Sequence, residues 1–179
     1  MAITEYFVRY LEQRDELSPQ DLARLRAIRT EHASFAAGEV IVPAGSVPSR
    51  SCMMLRGISA RSNRLVGRPD HRVITALQVP GDFVDLHAFV LSKLDHSIIA
   101  VGQVEVEFID HAELLEISRN FPHLSRLLWM ATLIDSAIHR QWLVAAASLR
   151  SSAHLAHLLC EIYTRLNAVG AASDGQFQL

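Results

Sequence analysis

Between Pro122 and Gly170 the chain contains neither glycine nor proline. A stretch that long without the two residues that most often interrupt regular structure is confined to helix. Within it Leu124, Leu127, Ala131, Ile134, Ile138, Gln141 and Ala145 recur at alternating three- and four-residue steps. That is a heptad seam with one polar position. A second stripe, Leu128, Leu133, Ala137 and Val144, faces another way. At 1.5 Å per residue, residues 122–147 span about 40 Å. Two apolar faces on one long helix predict that one packs on the chain's own domain while the heptad seam meets a second copy. The alternative is one broad face buried wholly within the protomer. Ser148–Ser152 breaks the pattern. A last helix follows, with Leu155, Leu158, Leu159, Ile162, Tyr163 and Leu166 on its apolar face and Gly170 beyond its end. Residues 171–179 read as a turn and the start of a strand.

The chain before this segment is built differently. Ile3, Tyr6, Phe7, Tyr10 and Leu11 lie at helical spacing. Ser18-Pro19-Gln20-Asp21 starts a second helix, with a capping hydroxyl, a proline suited to the first helical position and an acid at the positive end. From about Ala33 short apolar or alternating runs take over: 35–42, 52–55, 58–61, 73–77 and 98–101. Gly38, Pro43, Gly45, Pro48, Gly57, Gly67, Pro80-Gly81 and Gly102 punctuate them. Short strands at such spacing predict an antiparallel roll or barrel, and no strand–helix–strand alternation suggests a dinucleotide-binding sheet. His111–Asn120 reads as a short helix. The fold class is therefore α+β, an antiparallel β-roll of the jelly-roll kind flanked by helices.

Composition excludes several functions. Half of the 179 residues are hydrophobic and a fifth are charged, which rules out a disordered chain. A net charge of −2 argues against a protein that coats nucleic acid. Two cysteines, Cys52 and Cys160, read as reduced thiols and fall short of the four ligands of an iron–sulfur cluster. The charged residues Glu5, Arg9, Glu12 and Arg14 argue against a signal peptide, and the longest apolar run, Leu127–Ile138, is interrupted by Asp135. The expectation is a cytoplasmic protein with no membrane contact.

The order of roll, long helix and following helix resembles the Crp/Fnr superfamily of transcription regulators. Phe35-Ala-Ala-Gly-Glu-Val-Ile-Val-Pro-Ala-Gly-Ser is similar to that family's entry into its cyclic-nucleotide-binding-like roll, and Gly45 and Gly57 match two of its turn glycines. Val79-Pro-Gly-Asp-Phe-Val84 resembles the opening of the phosphate-binding cassette, and Asp95-His-Ser97 its close. The resemblance covers roughly residues 17–179. It implies a sensor domain over 1–120, a dimerisation helix over 121–147 and the start of a winged helix-turn-helix over 148–179. It also implies a homodimer that binds a small-molecule effector, DNA and RNA polymerase. Candidate effector contacts are Gly81, Asp82, Val84, Asp85, His87, Asp95, His96 and Ser97; candidate dimer contacts are the seven seam residues.

The departures decide the ligand. The family's ribose-binding Glu falls on Leu86 and its phosphate-binding Arg on His96. Leucine accepts no hydrogen bond, and histidine lacks the guanidinium fork, so cyclic AMP is not expected to bind in the family's way. Asp85, His87, Asp95 and His96 could form a polar cluster that binds an anion, senses pH or is satisfied locally. Haem is a minor possibility, with His71, His87, His96 and His139 as candidates. His154 and His157 stand at i, i+3, compatible with metal but more simply solvated. A metal-binding cupin-type enzyme is weakened by the lack of any His-x-His pair, and a serine hydrolase by the lack of a Gly-x-Ser-x-Gly elbow; no enzyme is expected. After Leu166 too little chain remains for a recognition helix, so the sequence reads as a regulator cut near its DNA-binding half, unable by itself to read an operator. The alternative is a stand-alone roll that acts by protein–protein contact.

Overall fold

The computed structural model describes residues 5–91 and 93–177. Ile3 and the last two residues of the expected terminal strand lie outside them. Two helices lead, α1 (Glu5–Glu12) and α2 (Pro19–Ala27). The Ser18 hydroxyl accepts from the Asp21 amide at 3.1 Å, and the Asp21 carboxylate accepts from the Ser18 amide at 3.0 Å. Asp21 thus closes a reciprocal capping box as well as favouring the positive helix end.

Seven strands form the roll: β1 (Glu31–Phe35), β2 (Val40–Val42), β3 (Arg50–Arg56), β4 (Ser59–Leu65), β5 (Arg68–Gln78), β6 (Ser97–Ala100) and β7 (Val104–Asp110). They make two antiparallel sheets, β1-β7-β3 and β2-β6-β4-β5. β1 opens two residues before the apolar texture begins, because Glu31 and His32 pair with Phe108 and Glu107 of β7. The expected run 35–42 is split by a turn at 36–39, where Gly38 takes a φ of 83°. At Gly57 the β3–β4 turn has a φ of 77°, and a Cβ there would collide with the Gln103 carbonyl. Only glycine meets both demands.

Inside the roll, Val42, Cys52, Met54, Val84, Ile98, Val104 and Val106 interdigitate. The helices α3 (His111–Asn120), α4 (Pro122–Ser148) and α5 (Ser151–Ala168) complete the chain. A second core joins α1, α2 and α3 to the first turns of α4 through Phe7, Leu11, Leu25, Ile109, Leu114, Ile117, Leu124 and Leu127. A third seats Ile162 and Leu166 of α5 on Ile58 and Val79 of the roll. The tail ends in a tight turn bridged between Ser173 and Gln176.

On α4 part of the expected seam is buried within the protomer itself, while Leu128 of the second stripe packs partly on the helical core as expected. Leu124 and Leu127 are wholly buried in their own chain, and Ala145 is 4% exposed, so none offers surface to a partner. Ala131 packs partly on the helical core, Ile134 and Ile138 face the roll, and only Gln141 of the expected seam is exposed. Trp129 (68% exposed), Leu133 (55%) and Val144 (58%) lie on the opposite side. The physical reason is that a heptad repeat fills a groove on the chain's own roll as well as it fills a partner helix.

Candidate functional site

The loop between β5 and β6 is tied to β3 by main-chain bonds. Gly81 N–H donates to Met54 O (3.0 Å), Met54 N–H to Asp82 O (3.0 Å) and Val84 N–H to Cys52 O (2.8 Å). Gly81 turns with a φ of 93°, pressed against Tyr6 and Val169. Beyond it a short 3-10 turn, Leu86–Phe89, presents His87 toward α4. A small cavity of about 50 Å³ lies there, walled by Tyr10 of α1 and Arg14 just beyond it, by Asp82 and His87 of the loop, and by Ile134, Asp135 and Ile138 of α4.

Arg61, on β4, crosses this junction. Its side chain is 9% exposed. One guanidinium nitrogen donates to the Asp135 carboxylate at 3.1 Å and the other to the Val84 carbonyl at 3.3 Å. Arg61 therefore joins the loop to α4. Next to it the rings of His87 and His96 lie 5.3 Å apart. His96 Nδ1 bonds the Asp95 carboxylate at 2.6 Å, while its Nε2 is buried with no hydrogen-bond partner among the described residues. Burial first, then the charges of Arg61 and His96, holds His87 down to about 4. Burial and Arg61 likewise pull His96 below its usual value against the opposing Asp95. Both rings are neutral near pH 7.

The eight expected contacts separate into groups. Asp82 and His87 line the cavity. Asp82 is engaged by the Val79 amide (2.7 Å) and by Arg165 of α5, so its charge holds the turn and the helix. Val84 belongs to the roll core. Asp85 is fully buried and accepts from the Cys52 amide at 2.6 Å; burial pushes its carboxyl up to about 7. Asp95 faces solvent, and the His96 ring holds it below the usual carboxylate range. Ser97 Oγ accepts from the Ala44 amide at 3.0 Å, and Gly81 shapes the turn. Of the expected four-residue cluster, His87, His96 and Asp95 come together beside Arg61, while Asp85 is held apart on the Cys52 amide. Arg61, Asp135, Arg165 and Tyr10 were not among the expected contacts. Two sequence signals point to the first pair: a lone cation inside the strand Ile58-Ser-Ala-Arg, and a lone acid inside the apolar run 127–138.

The other histidines weighed as haem or metal ligands lie elsewhere: His71 on β5, His139 on α4, His154 and His157 on α5. Among the described residues no group of three or more His, Cys, Asp or Glu side chains is placed to hold a metal ion.

Solved structures align with this chain over 73–85% of its length. FixK2 from Bradyrhizobium japonicum aligns at a TM-score of 0.73 and 17% identity, over 85% of this chain and 72% of that one. A putative cyclic nucleotide-binding protein from Geobacter metallireducens aligns at 0.59 and 22%, over 76% and 98%. A transcriptional regulator of the CRP/FNR family from Thermus thermophilus aligns at 0.58 and 21%, over 73% and 64%. The chain has the cyclic-nucleotide-binding roll fold found in Crp/Fnr regulators. No family model and no curated protein matches it by sequence. Within the fold, Leu86 packs into the helical core at 7% exposure, where the family resemblance places a ribose-binding Glu. His96, at the position of the phosphate-binding Arg, is neutral and already bonded to Asp95.

No described helix is long and apolar enough to cross a membrane.

Proposed function

We propose that this chain is the effector-sensing and dimerisation part of a Crp/Fnr-type transcription regulator, and that it acts by binding rather than by catalysis. The observation that carries the proposal is the single side chain, Arg61, that touches both the Val84 carbonyl beside the cavity and Asp135 in the middle of α4. A change at the loop is felt by the helix through that link. The outer stripe Trp129, Leu133 and Val144 supplies an apolar face for a second copy, so the helix also connects the sensor to its twin. In the proposed regulator the dimer presents DNA-reading segments to a two-fold site and to RNA polymerase.

The effector is not cyclic AMP held in the family's way. With Leu86 and His96 at the ribose and phosphate positions, two charged contacts worth about 1.5–3 kcal/mol each are missing. Calorimetry should detect no saturable cyclic AMP binding at micromolar concentration; tight binding would show that other groups hold the nucleotide. Coupling is tested by hydrogen exchange. In Arg61→Met, amides 131–145 should exchange faster than in the parent protein, and unchanged exchange would show that the loop and α4 are not linked through Arg61.

A further inference from the structure

In the sheet β2-β6-β4-β5, Val42 of β2 pairs with Ile98, and Ser62 of β4 pairs with Ser97, the first residue of β6. β2 and β4 therefore leave the sheet at the end where β6 enters it. Three connections meet there: the β2–β3 loop, the β4–β5 hairpin and the β5–β6 loop. Hydrogen bonds tie them together. Gly45 N–H donates to Leu94 O (2.7 Å), Leu94 N–H to Ser46 O (3.2 Å), and the Asn63 side-chain amide to Asp95 O (3.3 Å).

Each connection holds an aliphatic side chain out in water. Val66 of the hairpin is fully exposed, Val90 of the β5–β6 loop is 81% exposed and Val47 of the β2–β3 loop 74%, the three highest values among the exposed large hydrophobic residues. Cations stand around them. Arg64 and Arg72 lie directly opposite each other across the hairpin, Arg68 closes its turn, and Lys93, the chain's only lysine, reaches Gly45. Like charges directly opposite weaken a hairpin, and among the described residues no carboxylate pairs with any of these four. Two acids, Asp70 and Asp95, stand among the four cations, so this end is positive in a chain of net charge −2.

We propose that this end of the roll docks on an anionic lipid surface, with Val47, Val66 and Val90 entering the headgroup region and the arginines and Lys93 meeting the lipid anions. Separate aliphatic tips ringed by cations suit a fluid interface that offers no matching pockets. A protein partner is held chiefly by aromatic anchors, and none of these connections carries an exposed aromatic residue. A nucleic acid would use the cations and leave the valines in water. The contact is peripheral and needs no spanning helix. It departs from the sequence expectation of no membrane contact because the three tips come together only when the roll closes.

The test is co-sedimentation of the full chain with vesicles of phosphatidylcholine, alone or containing about one-third phosphatidylserine. The chain should partition onto the mixed vesicles only, and less so as salt is raised. Arg68→Gln with Arg72→Gln should lower the partition about fivefold per charge. Val66→Ser with Val90→Ser leaves the charge unchanged and should lower it about tenfold. Val101→Ser, on the β6–β7 turn at the other end of the sheet, should leave it as in the parent. All of these side chains are exposed, so the variants should keep the folded far-ultraviolet spectrum. No partition onto the mixed vesicles, equal partition onto both kinds, or an equal loss in Val101→Ser would each overturn the proposal. So would a Val66→Ser, Val90→Ser variant that binds like the parent; if the arginine variant then also loses binding to a DNA duplex, the cations serve nucleic acid instead.

Discussion

The two faces of α4 carry similar side chains and have opposite fates. The inner face places Leu124, Leu127, Ile134, Ile138 and Ala145 against the chain's own domain, with Asp135 adding a single charge that reaches Arg61. The outer face, about half a turn away, carries Trp129, Leu133, Leu143 and Val144, each more than half exposed. Composition does not separate the two, because leucine, isoleucine and valine serve either purpose. The charge does. Asp135 lies toward the inner face, where a carboxylate is tolerated because a buried cation awaits it, and the outer face at that level has Leu133 and Ala137. An interface that must exclude water from a partner is free of lone acids, whereas a helix wired to its own sensor uses one.

Truncation of a core leucine should separate the faces most sharply. Leu127→Ala removes a fully buried side chain and should cost about 2–5 kcal/mol in urea unfolding of the monomeric species, while Leu133→Ala should stay within about 0.5 kcal/mol there. Similar losses for both would place Leu133 in the protomer core.

The next test concerns the charge. Asp135→Asn leaves Arg61 without a counter-ion, and with Asp135 partly exposed the expected loss is about 1–2 kcal/mol. Arg61→Met with Asp135→Asn together should recover much of it, since no uncompensated buried charge remains. Additive losses would mean that the pair is not an energetic unit.

Asp85 and Asp21 should titrate with opposite sign. Asp85 has a folded value of about 7, raised by burial, so the folded state holds its proton longer than the unfolded state does. Stability should then fall as pH rises from about 4 to about 7, and Asp85→Asn should flatten that slope in thermal melts taken across the range. At the start of α4, His123 is raised chiefly by its 2.7 Å bond to Asp21, and Asp21 is lowered overall, its own burial being outweighed by Ser18 and His123. That pair contributes above the ordinary carboxylate range and is lost as pH rises through the histidine's folded value, as well as when acid protonates Asp21. His123→Ala should change stability by about 0.2–1 kcal/mol near pH 6 and less at pH 9; an equal effect at both would show that the ring acts by packing alone.

Much of the architecture was legible because it is local. Ser18 and Asp21 announce a cap, Gly57 and Gly81 mark turns that need a positive φ, and Asp110-His111 to Asn120-Phe121-Pro122 brackets α3 to the residue. What was not legible is long-range. Arg61 and Asp135 stand 74 positions apart, Arg165 and Asp82 83. Each looks like an ordinary surface charge until the roll closes. Arg165 is spent on Asp82 and Glu161. Which residues of α4 pack on the protomer was not legible for a related reason: periodicity fixes that a helix has two faces, and only tertiary contacts such as that of Asp135 with Arg61 say what lies over each.

The central claim is that the inner face wires α4 to the roll while the outer face is left for a second copy. Multi-angle light scattering on the parent protein and on Leu133→Glu tests it most directly. The account predicts a mass of two 19.9 kDa chains for the parent and one for the variant, both with the folded far-ultraviolet spectrum. A parent protein that is monomeric, or a Leu133→Glu variant that remains a dimer, would contradict it.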